Sequence, residues 1–158
     1  MNSSKKTIEM DVLGKFRMIF GAAKSHFIEV EKACGISSAQ LWILKVIQNN
    51  PGIGITELAK NIAIHQTTAS ILVEKLVKRK LVEKKRSQED QRRVGLFTHE
   101  AGQQILDQAP KAVEGLLPAT LEKMTEKQLN QLNESLNDLV TQFDPEYSKL
   151  SNIPLANM

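Results

Sequence analysis

The fold is decided by residues 55–98, which read ITELAKNIAIHQTTASILVEKLVKRKLVEKKRSQEDQRRVGLFT. The first part has apolar residues at three- and four-residue steps, the spacing that places side chains on one face of a helix. Beyond residue 80, two short extended runs at 81–85 and 92–97 are joined by SQED, a loop of turn-forming polar residues. The stretch therefore predicts two short helices joined by a tight turn, followed by a β-hairpin.

Positive charge is concentrated in the second half of this stretch. Residues 75–93 hold nine of the 21 Lys and Arg residues and three acids, a net charge of +6, whereas residues 100–158 hold four Lys and nine acids, a net charge of −5. With a whole-chain charge of only +3, this asymmetry indicates that one part of the molecule binds a polyanion. Two helices followed by a basic hairpin are typical of a winged helix-turn-helix, so the sequence predicts a DNA-binding module.

Amphipathic segments lie on both sides of this module. Residues 7–33 are predicted as one long helix that ends at Gly35, and a second, apolar helix is predicted from a cap at Ser37 or Ser38 to Asn49. The apolar face of the first helix is formed by Ile8, Val12, Phe16, Ile19, Phe20, Ala23, Phe27 and Val30.

After the hairpin, residues 101–117 predict a long helix that is kinked at Pro110 and ended or kinked again near Pro118. Thr125 and Gln128 form a capping box for a last helix. The apolar stripes of these end segments exceed what one small domain can bury, so we expect a two-fold dimer.

Four regions follow from this organisation. They are an N-terminal dimerisation helix at 1–36, a winged helix-turn-helix at 37–99, C-terminal dimerisation helices at 100–143 and a flexible tail at 144–158. The predicted fold class is mainly α with a small β-hairpin wing (α+β).

The order of elements and the hairpin motif resemble the MarR family of transcription regulators over residues 8–140. Asp90-Gln91-Arg92 matches the family's Asp-x-Arg, and His99-Glu100-Ala101-Gly102 stands where the family has Thr-x-x-Gly. The chain departs from the family at His99 and Thr98, where Thr and Leu are usual, and at Lys80, where relatives often have Gly. The resemblance implies a homodimeric, sequence-specific transcription regulator. Our hypothesis is a repressor, and the alternative of an activator stays open. Such a regulator binds a pseudo-palindromic operator in double-stranded DNA and is often released by a small, frequently aromatic, ligand.

The predicted DNA contacts lie on the second helix of the module and on the hairpin. Gln66 can bond adenine in the major groove, and Ile71 suits contact with a thymine methyl group. Arg92 fits the narrow minor groove of an A·T-rich flank, with Asp90 either orienting it or forming an ordinary exposed salt bridge. The remaining hairpin cations are interpreted as phosphate contacts. The full predicted set is Thr56, Gln66, Thr67, Thr68, Ser70, Ile71, Lys75, Lys84, Lys85, Arg86, Asp90, Arg92 and Arg93.

The sequence leaves three alternatives open. A ligand pocket between the DNA-binding and dimerisation segments could be lined by Phe20, His26, Phe27 and Trp42, although aromatic residues at helical spacing are more often core. Cys34 could be a redox-sensing thiol, although a lone cysteine is usually inert packing. The winged helix could also bind a protein partner instead of DNA.

Other functional classes find no support in the sequence. The single cysteine cannot form an intramolecular disulfide, and the three histidines, His26, His65 and His99, are not spaced as metal ligands. There is no nucleophile elbow and no phosphate-binding glycine-rich loop. We therefore expect no catalytic residue, no metal and no cofactor. Without a signal peptide or an apolar run of about 18 residues, a cytoplasmic protein without a membrane segment is expected.

Overall fold

The structure is a computed structural model that describes residues 2–110 and 112–157. Over these residues the chain forms seven α-helices, one antiparallel β-hairpin and two short 3-10 helices. The α-helices and strands are, in chain order, α1 (Asn2–Cys34), α2 (Ser38–Asn49), α3 (Ile55–Asn61), α4 (Gln66–Lys78), β1 (Val82–Arg86), β2 (Val94–Thr98), α5 (Glu100–Gln108), α6 (Leu116–Leu121) and α7 (Glu126–Val140). The 3-10 helices are Pro145–Asn152 and Leu155–Asn157.

Helix α2 is the centre of the core. It packs against α1, α3, α4, α5 and β2, and Leu41, Ile43, Leu44 and Ile47 are fully buried. Burial of an aliphatic side chain of this size contributes about 1.5–3 kcal/mol, so these four residues account for a large part of the packing energy. Ser37 begins the helix with a capping box, in which its side chain accepts from the Gln40 N–H and the Gln40 side chain accepts from the Ser37 N–H. The predicted apolar helix and its cap are confirmed.

The end of α4 explains the departure at Lys80. The N–H of Leu81 donates to the carbonyl of Leu76, and the N–H of Lys80 donates to the carbonyl of Val77, both at 2.9 Å. These two bonds form a Schellman motif, which requires a left-handed residue between the helix and the following strand. Lys80 adopts this conformation, with φ +58°, although a non-glycine residue there costs about 1–2 kcal/mol.

The hairpin is shorter and shifted relative to the predicted strands at 81–85 and 92–97. The register pairs Val82 with Thr98 and Arg86 with Val94, and Ile53 adds an isolated bridge to Leu96. The second strand starts later than expected because residues 92 and 93 belong to the turn at the hairpin tip.

Helix α3 begins at Ile55, with Gly54 as its N-cap. Thr56, one of the predicted DNA contacts, therefore lies in the first turn of this helix.

The predicted long helix at 101–117 is wrong. Helix α5 ends at Gln108 because Ala109, which precedes Pro110, is extended, with φ −67° and ψ 146°. Gly115 has φ +104° and begins a separate helix, α6, at Leu116. Pro118 does not end that helix but lies in its first turn, where a missing backbone N–H loses no intrahelical bond.

Of the predictions for the C-terminal part of the chain, one is confirmed and one differs from the structure. The capping box of Thr125 and Gln128 at the start of α7 is confirmed. The tail was expected to be flexible, but it contains the two 3-10 helices, and the second of them, Leu155–Asn157, contacts α2. Its backbone also bonds to the DNA-binding module, because the N–H of His65 donates to the carbonyl of Asn152 at 3.1 Å.

No helix in the described ranges has the length and apolar content needed to span a membrane.

Gly102 packs α5 against the base of the hairpin. A Cβ atom at this position would lie inside van der Waals distance of the Leu81 carbonyl oxygen and 3.1 Å from side-chain atoms of Leu44 and Thr98. The carbonyl cannot retreat freely, because it also accepts a hydrogen bond from the N–H of His99 at 3.0 Å. The glycine of the His99–Gly102 motif is therefore required by packing.

We predict that Gly102→Ala lowers the free energy of unfolding by about 1–3 kcal/mol, since an overpacked core must shift backbone or side chains. Urea unfolding at a fixed protein concentration measures the change. Gly21→Ala in α1 is the matched control, because a Cβ there meets nothing within 4 Å, and it should raise stability by about 0.5–1 kcal/mol. Equal unfolding midpoints for the two variants would contradict the packing argument.

Candidate nucleic-acid interface

Helix α4 divides into a packed face and a free face, as predicted. Ala69, Leu72, Val73 and Leu76 are buried in the core. On the opposite face, Ile71 is 53% exposed, Thr68 and Ser70 are half-buried, and Gln66, Thr67 and Lys75 are exposed. The free face thus carries short polar groups and one apolar side chain, a combination that can contact base edges and methyl groups.

The N-terminus of α4 is open to a ligand. His65 is its N-cap, and no side chain caps the helix. The first N–H groups of a helix lack intrahelical partners and carry partial positive charge, which favours a phosphate at this end. The exposed side chains of Gln66 and Thr67 lie beside these groups.

Asp90 organises the tip of the wing in a different way from the one predicted. Its carboxylate accepts from the backbone N–H of Arg92 at 3.0 Å, and its carbonyl accepts from the N–H of Arg93 at 2.9 Å. Ser87 completes the turn, because its hydroxyl oxygen accepts from the N–H groups of Glu89 and Asp90. Asp90 therefore fixes the backbone of the turn.

The predicted side-chain ion pair between Asp90 and Arg92 is not formed. The ion-pair partner of the carboxylate is Arg93, at 4.0 Å from its Nε, and both side chains are largely exposed. The guanidinium of Arg92 makes no ion pair within the described ranges, and the side chain is exposed at the wing tip. Arg92 is thus available for a partner outside the protomer.

Several hairpin cations have intramolecular partners that the sequence did not reveal. The ammonium of Lys84 contacts the carboxylate of Glu74 on α4, which ties the first wing strand to that helix. Lys85 pairs with Glu83 at 2.7 Å and lies 5.1 Å above the centre of the Phe97 ring. The assignment of Lys84 and Lys85 to phosphate must therefore compete with these contacts.

The remaining cations of the +6 segment differ in their surroundings. Arg79 at the end of α4 donates to the carbonyl of Gly35, so it links that helix to the junction of α1 and α2. Lys75, Lys78, Lys80 and Arg86 are exposed and have no ion pair within the described part of the chain. Lys78 and Lys80 were not among the predicted contacts, although the charge pattern of residues 75–93 contained the signal.

A groove of about 1050 Å³ separates the wing from the start of α3. Thr56 lies in its wall together with Lys85, Arg86 and Arg93. Four predicted DNA contacts are thereby brought to one surface.

A separate cavity of about 230 Å³ lies behind the helix-turn-helix. Phe27 and Trp42 line it, as the sequence predicted for a ligand pocket, but Phe20 and His26 do not. Phe20 is 66% exposed on α1, and His26 is buried, with an Nε2 atom that has no hydrogen-bond partner within the described chain. The sequence missed the other walls, which include Ile62, Ala63, Ile64, Gly115, Leu116, Leu117, Pro118, Ser151, Ile153, Pro154, Leu155 and Ala156.

Cys34 lies in the core at the end of α1. Burial raises the pKa of its thiol, because desolvation disfavours the thiolate. A thiol sensor needs an accessible thiolate, so this environment argues against the redox alternative. Among the described residues, no group of three or more His, Cys, Asp or Glu side chains is placed to hold a metal ion.

Comparison with known proteins supports one class of protein. Residues 35–93, from the end of α1 to the wing tip, match the family model described as MarR family. The resemblance inferred from the wing motif is confirmed. Proteins of this class are DNA-binding transcription regulators and not enzymes. None of the curated proteins matches the chain.

Solved structures of regulators share the fold along most of the chain. A MepR-like protein complexed with pseudoligands is 18% identical, with a TM-score of 0.55 and coverage of 89% of this chain and 95% of that one. FabT from Streptococcus pneumoniae in complex with DNA is 18% identical, with a TM-score of 0.52 and coverage of 87% and 95%. The regulator BldR from Sulfolobus solfataricus is 22% identical, with a TM-score of 0.54 and coverage of 90% and 99%. These likenesses confirm the predicted fold class.

The pair of Lys84 and Glu74 leads to a prediction about salt dependence. We expect Glu74→Gln to raise affinity for all DNA sequences and to steepen the salt slope by about one, because it frees a cation for phosphate. Lys84→Ala alone should change the slope by much less than one, since its charge is already paired. Fluorescence anisotropy across a salt series measures both variants. If Lys84→Ala flattens the slope by about one with Glu74 intact, the pair opens on DNA and Lys84 is a phosphate contact.

The buried thiol leads to a second prediction. Iodoacetamide at pH 8 should alkylate Cys34 at least about tenfold more slowly in the native protein than in urea, because the reactive species is the thiolate. Mass spectrometry of quenched samples follows the reaction, and the unfolded chain is the control. Similar rates in the two states would contradict the burial of Cys34 and restore the redox alternative.

Proposed function

We propose that the protein is a homodimeric, sequence-specific DNA-binding transcription regulator. The observation that carries this proposal is the packing of α4, with its free face, against a wing whose tip presents Arg92, a side chain without an ion pair among the described residues. Residues 66–71 at the start of α4 carry no charge and can discriminate base edges, whereas the surrounding cations supply affinity for phosphate. The proposed base-reading residues are Gln66, Thr67, Thr68, Ser70 and Ile71, and Arg92 is proposed to enter the minor groove.

The dimer is supported by apolar surface that one protomer leaves uncovered. Along the first half of α1, large apolar side chains are exposed, and Leu139 of α7 lies beside Ile8, Val12 and Phe16 in an open apolar groove. Exposed apolar area of this kind marks an interface, and a two-fold contact would cover it on both copies. The exposed residues on these helices are Ile8, Met10, Val12, Leu13, Met18, Ile19, Phe20, Ile28, Leu136 and Val140.

A two-fold dimer would place the two α4 helices in successive major grooves. The operator would then be a pseudo-palindrome with half-sites about 10 bp apart, and each wing would lie over a flanking minor groove. A repressor role follows from the family resemblance, since a dimer on two half-sites would compete with other proteins for the same DNA.

Release by a small ligand is supported by the cavity behind the helix-turn-helix. Phe27 and Trp42 provide aromatic walls, and Ile62 and Ile64 belong to the turn that precedes α4. A ligand in this place would contact the DNA-binding module directly, and apolar walls favour an apolar or aromatic molecule. The MepR-like relative was solved with pseudoligands.

Selection of DNA from a random pool tests the proposed function. The selected sequences should contain two related half-sites about 10 bp apart with A·T-rich flanks. Recovery of no preferred sequence, together with binding that vanishes at moderate salt, would instead favour a winged helix that binds a protein partner.

Arg92→Ala should lower affinity for the selected operator about ten- to hundredfold and relax the preference for A·T-rich flanks. Arg93→Ala is the matched control, because it removes the same charge from the neighbouring position but its guanidinium faces Asp90. The control should weaken binding modestly and equally for all flanks. Competition assays with A·T-rich and G·C-rich flanks measure the difference. Identical effects of the two substitutions would contradict a specific role of Arg92.

A further inference from the structure

We infer that the C-terminal segment at residues 151–157, which we name the strap, couples the cavity to the position of the DNA-reading helix α4. This inference rests on the proposed function, because its consequence is a change in operator affinity. The strap would have a regulatory role that depends on its contacts with the cavity walls and with α2.

The strap forms one wall of the cavity, and the turn of the helix-turn-helix forms another. Ile153, Pro154 and Ala156 of the strap are partly buried beside the space that Trp42 and Ile64 also line. The 3-10 helix Leu155–Asn157 packs against α2. Apolar contacts with α2 and with the turn before α4 therefore hold the strap in place.

A backbone hydrogen bond joins the strap to α4. The N–H of His65 donates to the carbonyl of Asn152 at 3.1 Å. His65 is the N-cap of α4 and directly precedes Gln66 and Thr67, which are proposed to contact bases. A shift of the strap thus acts at the end of the helix where sequence is read.

The turn that the strap contacts has an intrinsically costly conformation. Ala63 has φ +53°, and a left-handed alanine costs about 1–2 kcal/mol. Such a turn persists when the surrounding structure determines it. The strap is one of these surroundings, because Ala63 and Ile64 line the same cavity as Ile153. Loss of the strap would leave the turn, and with it the start of α4, less well fixed.

The cavity size sets the condition for this coupling. The space has a volume of about 230 Å³ while the strap is in place. A ligand that takes the position of Ile153 would displace the strap and thereby break its hydrogen bond to His65. Operator affinity then falls because α4 must be ordered again on binding.

Ile153→Asp tests the strap, because a charged group is disfavoured against the apolar wall. Leu150→Asp is the matched control, since Leu150 is 42% exposed and lies outside the cavity. Trp42 is the only tryptophan of the chain, so its fluorescence reports the cavity without a label. The amide exchange rate of His65, measured by NMR, reports the hydrogen bond, and anisotropy reports operator affinity.

We expect Ile153→Asp to shift the Trp42 emission to longer wavelength, to accelerate His65 amide exchange about tenfold or more and to lower operator affinity severalfold. Leu150→Asp should match the wild type in Trp42 emission, His65 amide exchange and operator affinity. Unchanged Trp42 emission and His65 exchange in Ile153→Asp would overturn the seating of the strap, and altered signals with unchanged operator affinity would overturn the coupling. If the wild-type chain binds no DNA, the proposed function fails and the coupling fails with it, whereas the first two signals still decide whether the strap is seated.

Discussion

The arrangement of the DNA-binding surface depends on the close packing around the carbonyl group of Leu81. Leu81 closes the Schellman motif at the end of α4 and precedes the first wing strand. Its carbonyl accepts the N–H of His99 and faces Gly102, where no side chain would fit. Helix α4, both wing strands and α5 are thereby fixed at one point. The position of α4 relative to the wing is set by the lack of room for a side chain at Gly102 and by two backbone hydrogen bonds of Leu81, one with Leu76 and one with His99.

The cations of the +6 segment fall into two groups. Lys84 and Arg79 have partners within the chain: Lys84 joins the wing to α4, and Arg79 joins α4 to the end of α1. An exposed ion pair such as that of Lys84 and Glu74 contributes little stability, about 0–1 kcal/mol, so its main effect is on geometry and on the number of cations free for phosphate. The second group, which includes Lys75, Arg86 and Arg92, has no ion pair within the described residues, and the proposed base-reading residues 66–71 are uncharged. In the proposed complex, affinity and specificity would thus have separate structural sources.

A cavity lies on the opposite side of the helix-turn-helix. Its walls come from α1, α2, α6, the turn before α4 and the C-terminal strap. Because the same turn leads directly into the proposed base-reading residues, packing in the cavity and contact with DNA act on neighbouring backbone. The costly conformation of Ala63 makes this turn sensitive to its surroundings. Regulation and recognition would therefore meet within a few residues of His65.

The sequence by itself determined the features that depend on neighbours within a turn or a strand. The helices α1, α2 and α4, the packed face of α4, the capping boxes at Ser37 and Thr125 and the hairpin after α4 were predicted correctly, because periodicity and caps are local properties. The break after Gln108 was mistaken for a kink, since only the surrounding structure decides how a helix responds to Pro110. Tertiary structure alone decided that Lys84 meets Glu74, that Asp90 holds a backbone turn, that Phe20 and His26 lie outside the cavity, and that the tail bonds to His65. Each of these contacts depends on which side chains and backbone groups the completed fold brings together, and residue spacing carries no such information.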